Sequence, residues 1–506
     1  MFALFTKKCD NTVIQRKTYK MATVENLNKV SKHNRIMNRL HGVGKAMDMT
    51  QGNIFRLIIS FAIPLMLGNL FQLLYNTVDT FVVGNYVSDE AYKAVGNVNP
   101  IINTLVGFFS GLATGAGVVI SQYFGAKDEK NVKKAVHTTM IMTLALGVLF
   151  TFAGIAMIPY MLSIINFAPE IIPDATEYLT IYFAGVIGLM IYNIGSGILR
   201  AVGDTGRPFI FLVICALLNV ALDLLFVLVF DMKVAGVAYA TIISQLISAI
   251  LVMITLMRSK ECYKVSIRDM KCDFHILKKI ISVGLPAALQ MTITAFSNVF
   301  VQSYLMGLDA RYPDFSGGWT SYLKIDQFVL LPAQTISLAS TTFVGQNLGA
   351  GNTKRAKTGA NLSLLLSVIV TAVLLVPVLL FAPQIVWFFN KNEMIIKYGA
   401  ELLRAISPFY LIYTVNQIYA GALRGAGKST APTVIMIASF VVFRQIYLAV
   451  ISRITDTYMP IALAYPVGWV LCSIVMYIYY RCSHWEKYML IGDDEAKKSE
   501  PSEDRN

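Results

Sequence analysis

Apolar runs of about twenty residues or more, divided by short polar segments, recur along this chain. They lie roughly at 55–84, 94–123, 135–159, 171–199, 208–230, 234–257, 276–306, 318–346, 358–381, 395–423, 431–452 and 459–482. About twenty helical residues cross the hydrocarbon core of a bilayer, so the pattern predicts an all-α integral membrane protein with twelve transmembrane helices. Gly and Pro cluster between the runs, where one helix must stop and the next begin. Residues 1–53 are basic and polar, without the apolar stretch of a signal peptide. "MDMTQGNIFRLIISFAIP", from Met47, would make a plausible start, so residues 1–46 read as a flexible extension or a mis-assigned start. The expected organisation is a disordered cytoplasmic extension at 1–53, a lobe of six helices at 54–257, a linker at 258–275, a second lobe at 276–482 and a disordered tail at 483–506.

Composition agrees with a membrane. Only 14% of the residues are charged, against about 25% in soluble chains. A net charge of +13 would suggest nucleic acid in a soluble protein; here its placement gives orientation. The loops after runs 2, 4, 6, 8 and 10 hold Lys127, Lys130, Lys133, Lys134, Arg200, Arg207, seven more from Arg258 to Lys279, Lys354, Arg355, Lys357, Arg424 and Lys428. The opposite loops hold Lys93, Lys233, Arg311, Lys391, Lys397 and Arg453. Basic residues collect on the cytoplasmic side of a membrane, so both termini are expected there. Six cysteines without a CxxC pair and five scattered histidines, read as lying outside the apolar spans, argue against a disulfide framework or a structural metal.

The stretch "GALRGAGKST", from Gly421, looks like a phosphate-binding loop. A Walker A loop needs its first glycine five residues before Gly427, and that position is Ala422. The stretch is instead half of a repeat. "GILRAVGDTGRP" from Gly197 lines up with "GALRGAGKSTAP" from Gly421 at a shift of 224, and the same shift lays "SQYFGAKDEKNVKKA" from Ser121 over "GQNLGAGNTKRAKTG" from Gly345. A six-helix unit has been duplicated. Six being even, both copies cross the membrane in the same sense, and a pseudo-two-fold axis should run along the membrane normal. The first copy of the loop has Asp204, Thr205 and Gly206 where Lys428, Ser429 and Thr430 stand, so neither copy is read as an ATP site.

Ionisable side chains inside a membrane cost about 2.5–3.5 kcal/mol each and therefore need a reason. The first half has two, Asp79 and Asp223. Asn219 shares a helical face with Asp223, and Thr241 is the polar residue of run 6. Counted from the ends of their runs, Asp79, Asp223 and Thr241 lie roughly 8–10 Å below the outer surface. An oxygen cage suits a hard cation, and two adjacent carboxylates would share a proton. The plainer alternative, that each Asp only hydrogen-bonds a neighbouring helix, fits the spacing equally well. Asn69, Gln72, Asn76 and Asp79 form a polar stripe on run 1, as do Gln290, Thr294, Asn298 and Gln302 on run 7. The stripes either hydrogen-bond between helices or line opposite walls of a wet cavity, with Tyr75, Asn193, Asn416 and Gln417 joining them. In the second half the charges are Lys324, Asp326 and Arg444; an Asp326–Arg444 ion pair is expected, although Asp326 could also meet substrate. "GLATGAG", from Gly111, reads as a close helix-packing surface.

"IPLMLGNLFQLLYNTVDTFVVG" from Ile63, "LRAVGDTGRP" from Leu199, "GVAYATIISQ" from Gly236 and "FVGQNLGAGNTKRA" from Phe343 resemble the multidrug and toxic compound extrusion (MATE) family, in its bacterial NorM- and MepA-like branch. The resemblance covers about residues 47–485. It implies two six-helix lobes around a central cavity, in a bacterial inner membrane, and export of amphipathic or cationic small molecules against Na⁺ or H⁺. It also implies that Asp79, Asn219, Asp223 and Thr241 form the cation site, because they stand at the family's motif positions. Beyond the transported ion no cofactor, ATP or nucleic acid is implied, and a monomer is expected. A lipid-linked oligosaccharide flippase of related architecture is the alternative; it should present arginines and lysines to a diphosphate. A membrane enzyme finds no support in any HExxH or Ser–His pattern.

Overall fold

The computed structural model describes residues 46–87, 89–164, 169–455 and 457–492. The chain divides into Met1–Ala46 and Met47–Asn506, and every helix below belongs to the second unit. The first repeat comprises α1 (Ile54–Tyr86), α2 (Asp89–Gly125), α3 (Glu129–Ile164), α4 (Ile172–Ala184), α5 (Val186–Ala201), α6 (Gly206–Leu224) and α7 (Lys233–Arg258). The second comprises α8 (Phe274–Met306), α9 (Phe315–Gly349), α10 (Thr353–Leu380), α11 (Ala382–Phe389), α12 (Glu393–Ile406), α13 (Tyr410–Gly425), α14 (Thr430–Ile437), α15 (Arg444–Ile454), α16 (Tyr458–Ala462) and α17 (Ala464–Cys482).

Among the described residues, ten helical segments are long and apolar enough to cross a membrane, and α4 with α5, bent by 50°, makes an eleventh. The tenth apolar run completes the twelve as α12 and α13, broken at Pro408. It is less apolar than expected because α12 carries Glu393, Lys397, Glu401 and Arg404. This helix is amphipathic: it buries Ile395, Tyr398, Leu402 and Ile406, and Glu401 accepts a hydrogen bond from the Tyr458 hydroxyl.

The duplication is visible in the turns. Leu199 O accepts from Asp204 N and Arg200 O from Gly203 N, both at 2.9 Å. At the equivalent place in the second repeat, Leu423 O accepts from Lys428 N at 2.9 Å and Arg424 O from Gly427 N at 2.7 Å. Gly203 and Gly427 take the left-handed conformation this helix stop requires, with φ of 88° and 89°. The amides of "GAGK" are thus engaged by the helix they terminate.

The first lobe has a core around Phe109, Tyr182, Phe183 and Met190, the second around Trp319, Tyr322, Tyr410 and Trp469. A third cluster joins Phe61 and Leu65 of α1 to Ile336 and Phe343 of α9 across the lobes. "GLATGAG" is a lobe–lobe contact: Gly111 meets the backbone at Ala288, and Gly115 meets Gly284, so closely that any side chain would collide. Further along, Gly107 faces Met291, and Thr104 O accepts from Thr292 Oγ1 at 3.5 Å. Beyond that level α2 faces open space at Gly96 and exposes Asn99 and Asn103. The lobes are sealed on the face where the basic loops lie and part toward the other.

Two expected boundaries change. Met47 N donates to Val202 O at 2.9 Å and Met49 is fully buried, so the ordered chain begins before residue 54. The segment 483–492 is also ordered, with Trp485 and Ile491 buried. A few apolar side chains inside otherwise polar termini anchor both segments. Residues 1–45 and 493–506 lie outside the described residues.

Candidate functional site

Helices α1 and α6 run side by side, with the rings of Phe71 and Phe209 6.1 Å apart and Gly68 against Leu212. Counted along both helices from these contacts, position 79 comes level with residues 217–223. The side chains of Tyr75, Asn76 and Asp79 lie outside the described residues. On α6, Asn219 is 1% exposed and Asp223 0%. Both atoms of the Asn219 amide are buried without a hydrogen-bond partner, which costs several kcal/mol in an apolar setting, on the order of 2–7. Asp223 sits just ahead of a π-helical turn, Leu225–Val229, a distortion common at functional sites. Thr241, on α7, is half-buried and its hydroxyl donates to Val237 O at 3.0 Å, leaving oxygen lone pairs for another ligand. The structure therefore brings Asn219 and Asp223 together, with Thr241 on the next helix.

The run 1 and run 7 stripes behave differently. Gln72 is half-buried on α1, and Asn193 is half-buried with its amide donating to Leu189 O at 2.9 Å. On α8, Gln290 is buried and accepts from Arg424 Nη2 at 2.7 Å. Arg444 Nη2 donates to Ser297 Oγ at 2.9 Å and to Asn298 Oδ1 at 2.8 Å. Gln290 is thus turned into its own lobe, which corrects its assignment to the cavity wall; Asn298 remains exposed and Gln302 half-buried. Asn416 is also corrected: it is fully buried, donates to Ser473 Oγ at 3.1 Å and accepts from Gln417 at 3.2 Å. A buried arginine competes for the nearest amides because each guanidinium must place five N–H groups.

The expected Asp326–Arg444 ion pair is absent. Asp326 accepts from Tyr322 OH at 3.1 Å and also meets the Tyr410 hydroxyl. Arg444 lies 4.8 Å from the Tyr465 ring, and phenols stand where the opposite charge was expected. His137 lies within α3, not outside the spans, and its Nε2 accepts from Ser266 N at 3.0 Å.

Sequence reading missed polar positions on two further helices. Asn99 and Asn103 of α2 are exposed at a spacing of four, and Thr320, Gln327 and Gln334 of α9 at a spacing of seven. Both spacings keep one helical face, the signal that would have found them. Exposed amides on spanning helices belong to a wet surface, because lipid leaves them unsatisfied. They give α2 and α9 exposed polar faces, that of α9 carrying the exposed Lys324 as well.

The MatE family model matches residues 64–225 and 286–450, one copy per repeat. The probable multidrug resistance protein YpnP of Bacillus subtilis is 29% identical over 450 residues, covering 89% of this chain and all of that protein. The multidrug export protein MepA of Staphylococcus aureus is 22% identical over 390 residues, covering 77% and 85%. Among solved structures, an outward-facing multidrug resistance MATE transporter superposes with a TM-score of 0.81 at 24% identity, covering 88% of this chain and 99% of that one. With both halves matched and the twelve-helix, two-lobe fold shared, this chain belongs to the MatE family of membrane transporters.

Proposed function

We propose that this protein is a secondary antiporter that exports amphipathic or cationic small molecules, driven by entry of Na⁺ or H⁺ through its first lobe. The observation that carries this reading is the buried Asp223 one turn from Asn219, whose amide oxygen and nitrogen are both unsatisfied. A structural amide in a close-packed membrane helix would have found a partner; this one is placed to serve an ion that comes and goes. Asp79, Asn219, Asp223 and Thr241 supply the oxygen ligands or the shared proton site. Gln72, Tyr75, Asn76, Asn193, Asn298, Gln302 and Gln417 border the route of the exported compound, with Asp326 as a second acidic contact. The face bearing the basic loops is cytoplasmic, so the lobes are parted toward the exterior.

A flippase would need cationic groups exposed to a diphosphate. Arg424 and Arg444 are 7% and 3% exposed and bonded within their own lobe, which argues against that alternative. The test is dye efflux from vesicles carrying the full-length protein, driven separately by a Na⁺ gradient at fixed pH and by a pH gradient without Na⁺. One gradient should drive efflux, and Asp223→Asn should abolish that dependence. Efflux indifferent to both gradients, or wild-type coupling in Asp223→Asn, would overturn the reading.

A further inference from the structure

At the basic face, two glutamines occupy equivalent places in the two repeats and reach into opposite lobes. Gln122, near the end of α2, donates from Nε2 to Gly425 O of α13 at 2.9 Å. Gln346, near the end of α9, donates from Nε2 to Ala201 O of α5 at 2.9 Å. Ala201 and Gly425 are related by the same shift as the glutamines themselves. Both glutamines are fully buried. Gln346 Oε1 accepts from the backbone N–H of Met49 at 2.8 Å, and Gln122 Oε1 accepts from that of Leu490 at 3.0 Å. Donating to a carbonyl and accepting from an N–H fixes the orientation of each amide.

The terminal segments share this symmetry although their sequences do not. Met47 lies against Gly203 in the turn after α5, and Leu490 lies against Gly427 in the equivalent turn after α13. The segment before α1 thus rests on the first lobe and hydrogen-bonds the second; the segment after α17 rests on the second and hydrogen-bonds the first. Separating the lobes at this face breaks all four glutamine bonds. The four glutamine bonds are uncharged, so each is individually modest and rehydrates on opening; on the first segment alone, Arg355 of α10 adds charged donors to Met49 O at 3.2 Å and Gly52 O at 2.9 Å.

We infer that Gln122 and Gln346 form a symmetric gate on the basic face, each holding the opposite lobe and one end of the chain, and that both must release for that face to open. They are positioning residues for the transport cycle. The inference rests on the alternating exposure of an exporter, but its test requires neither ion nor cargo, so failure of the coupling reading leaves it interpretable.

The test uses full-length protein with native cysteines replaced and spin labels at Lys130→Cys and Lys354→Cys, exposed equivalent positions on α3 and α10. Gln122→Leu and Gln346→Leu each remove two bonds and should raise the ratio of separated to closed distances by about ten-fold. Hydrogen exchange supplies a readout that local damage would not move. Gln346→Leu should accelerate exchange not only at Met49 but also at Leu490, whose own partner Gln122 is intact, by about ten-fold. In the unsubstituted protein the Met49 and Leu490 amides should exchange at one common rate, a result that needs no variant to fold. Unchanged distance distributions, acceleration confined to Met49, or unrelated exchange rates at the two amides would each overturn the gate.

Discussion

The two lobes descend from one six-helix unit, yet they treat buried charge in opposite ways. The first lobe buries Asp223 beside an Asn219 amide with no partner. The second buries Arg424 and Arg444 and satisfies them in part from α8, through Gln290 and Asn298 of its polar stripe and through the neighbouring Ser297. One arrangement is incomplete and the other largely occupied. Under the proposed function, the duplicated scaffold would keep ligand capacity in one copy and turn the other toward internal support. The two copies stay alike where they must move together: the helix stops at Gly203 and Gly427 match in their hydrogen bonds, and so do the glutamines at 122 and 346.

The strongest way to break this contrast is to exchange the charged groups for amides. Asp223→Asn should lower gradient-driven efflux on the order of 100-fold, equivalent to about 2.7 kcal/mol in the barrier. It should leave thermal stability equal or higher, since it removes an ionisable group from the membrane interior. Arg444→Gln should do the reverse, retaining the preference for one ion gradient while lowering stability by about 1–3 kcal/mol, because Ser297 and Asn298 lose their donor. Efflux in proteoliposomes and thermal unfolding by tryptophan fluorescence measure the pair. Equal coupling losses in both variants would erase the distinction between the lobes.

Smaller changes sharpen it. Asn219→Leu removes an amide that bonds to nothing in the structure, so folding should be undisturbed or slightly favoured. The half-saturating concentration of the driving ion should nevertheless rise by about ten-fold, one ligand's worth of about 1.4 kcal/mol. Asn416→Leu, at a fully buried position bonded to Ser473, should cost about 1–3 kcal/mol of stability and leave that concentration unchanged. Ion titrations of dye efflux separate the two outcomes.

Much of this was legible in the sequence. Twelve apolar runs gave the spans, and the internal repeat gave the two lobes and disposed of the apparent P-loop. The small-residue pattern from Gly111 gave a close contact, although only the fold shows that it joins the lobes. Run 10 was drawn as an ordinary span, but its four charges sit on an amphipathic α12 packed within the second lobe. The stripe on α8 stayed open at Gln290 between hydrogen bonding and cavity lining, because periodicity identifies a polar face without saying what faces it. The arginines that claim it come from α13 and α15, far along the chain from the residues they bond. Met49 and Leu490 were hidden for a related reason. Both act through backbone N–H groups, which carry no side-chain signature, and sit in segments whose composition reads as disordered.

The gentlest comparison concerns two lysines in equivalent positions. Lys133, near the start of α3, bonds Asp269 of the inter-lobe linker at 2.8 Å; Lys357, its counterpart on α10, bonds Glu486 of the terminal segment at 2.9 Å. The Lys133 ammonium lowers the pKa of Asp269. Burial works against ionisation of Glu486, and the Lys357 bond outweighs it, so that carboxyl is also shifted down. A lowered carboxyl pKa means each tie is complete above the ordinary carboxylate range, 3.8 for Asp and 4.5 for Glu, and is lost as pH falls through the lowered value. Both pairs should therefore be indifferent to pH between about 6 and 8. They differ in screening: Asp269 is 53% exposed and Glu486 16%. Salt should consequently weaken the linker tie more than the terminal one. Lys357→Ala should speed exchange at the Tyr488 amide, bonded within the terminal segment to Trp485 O at 3.0 Å, by about two-fold at low salt, while Lys133→Ala should leave that amide unchanged. An equal response to both substitutions would mean that the two ends of the second lobe are mechanically joined through the linker rather than held independently at their own helices.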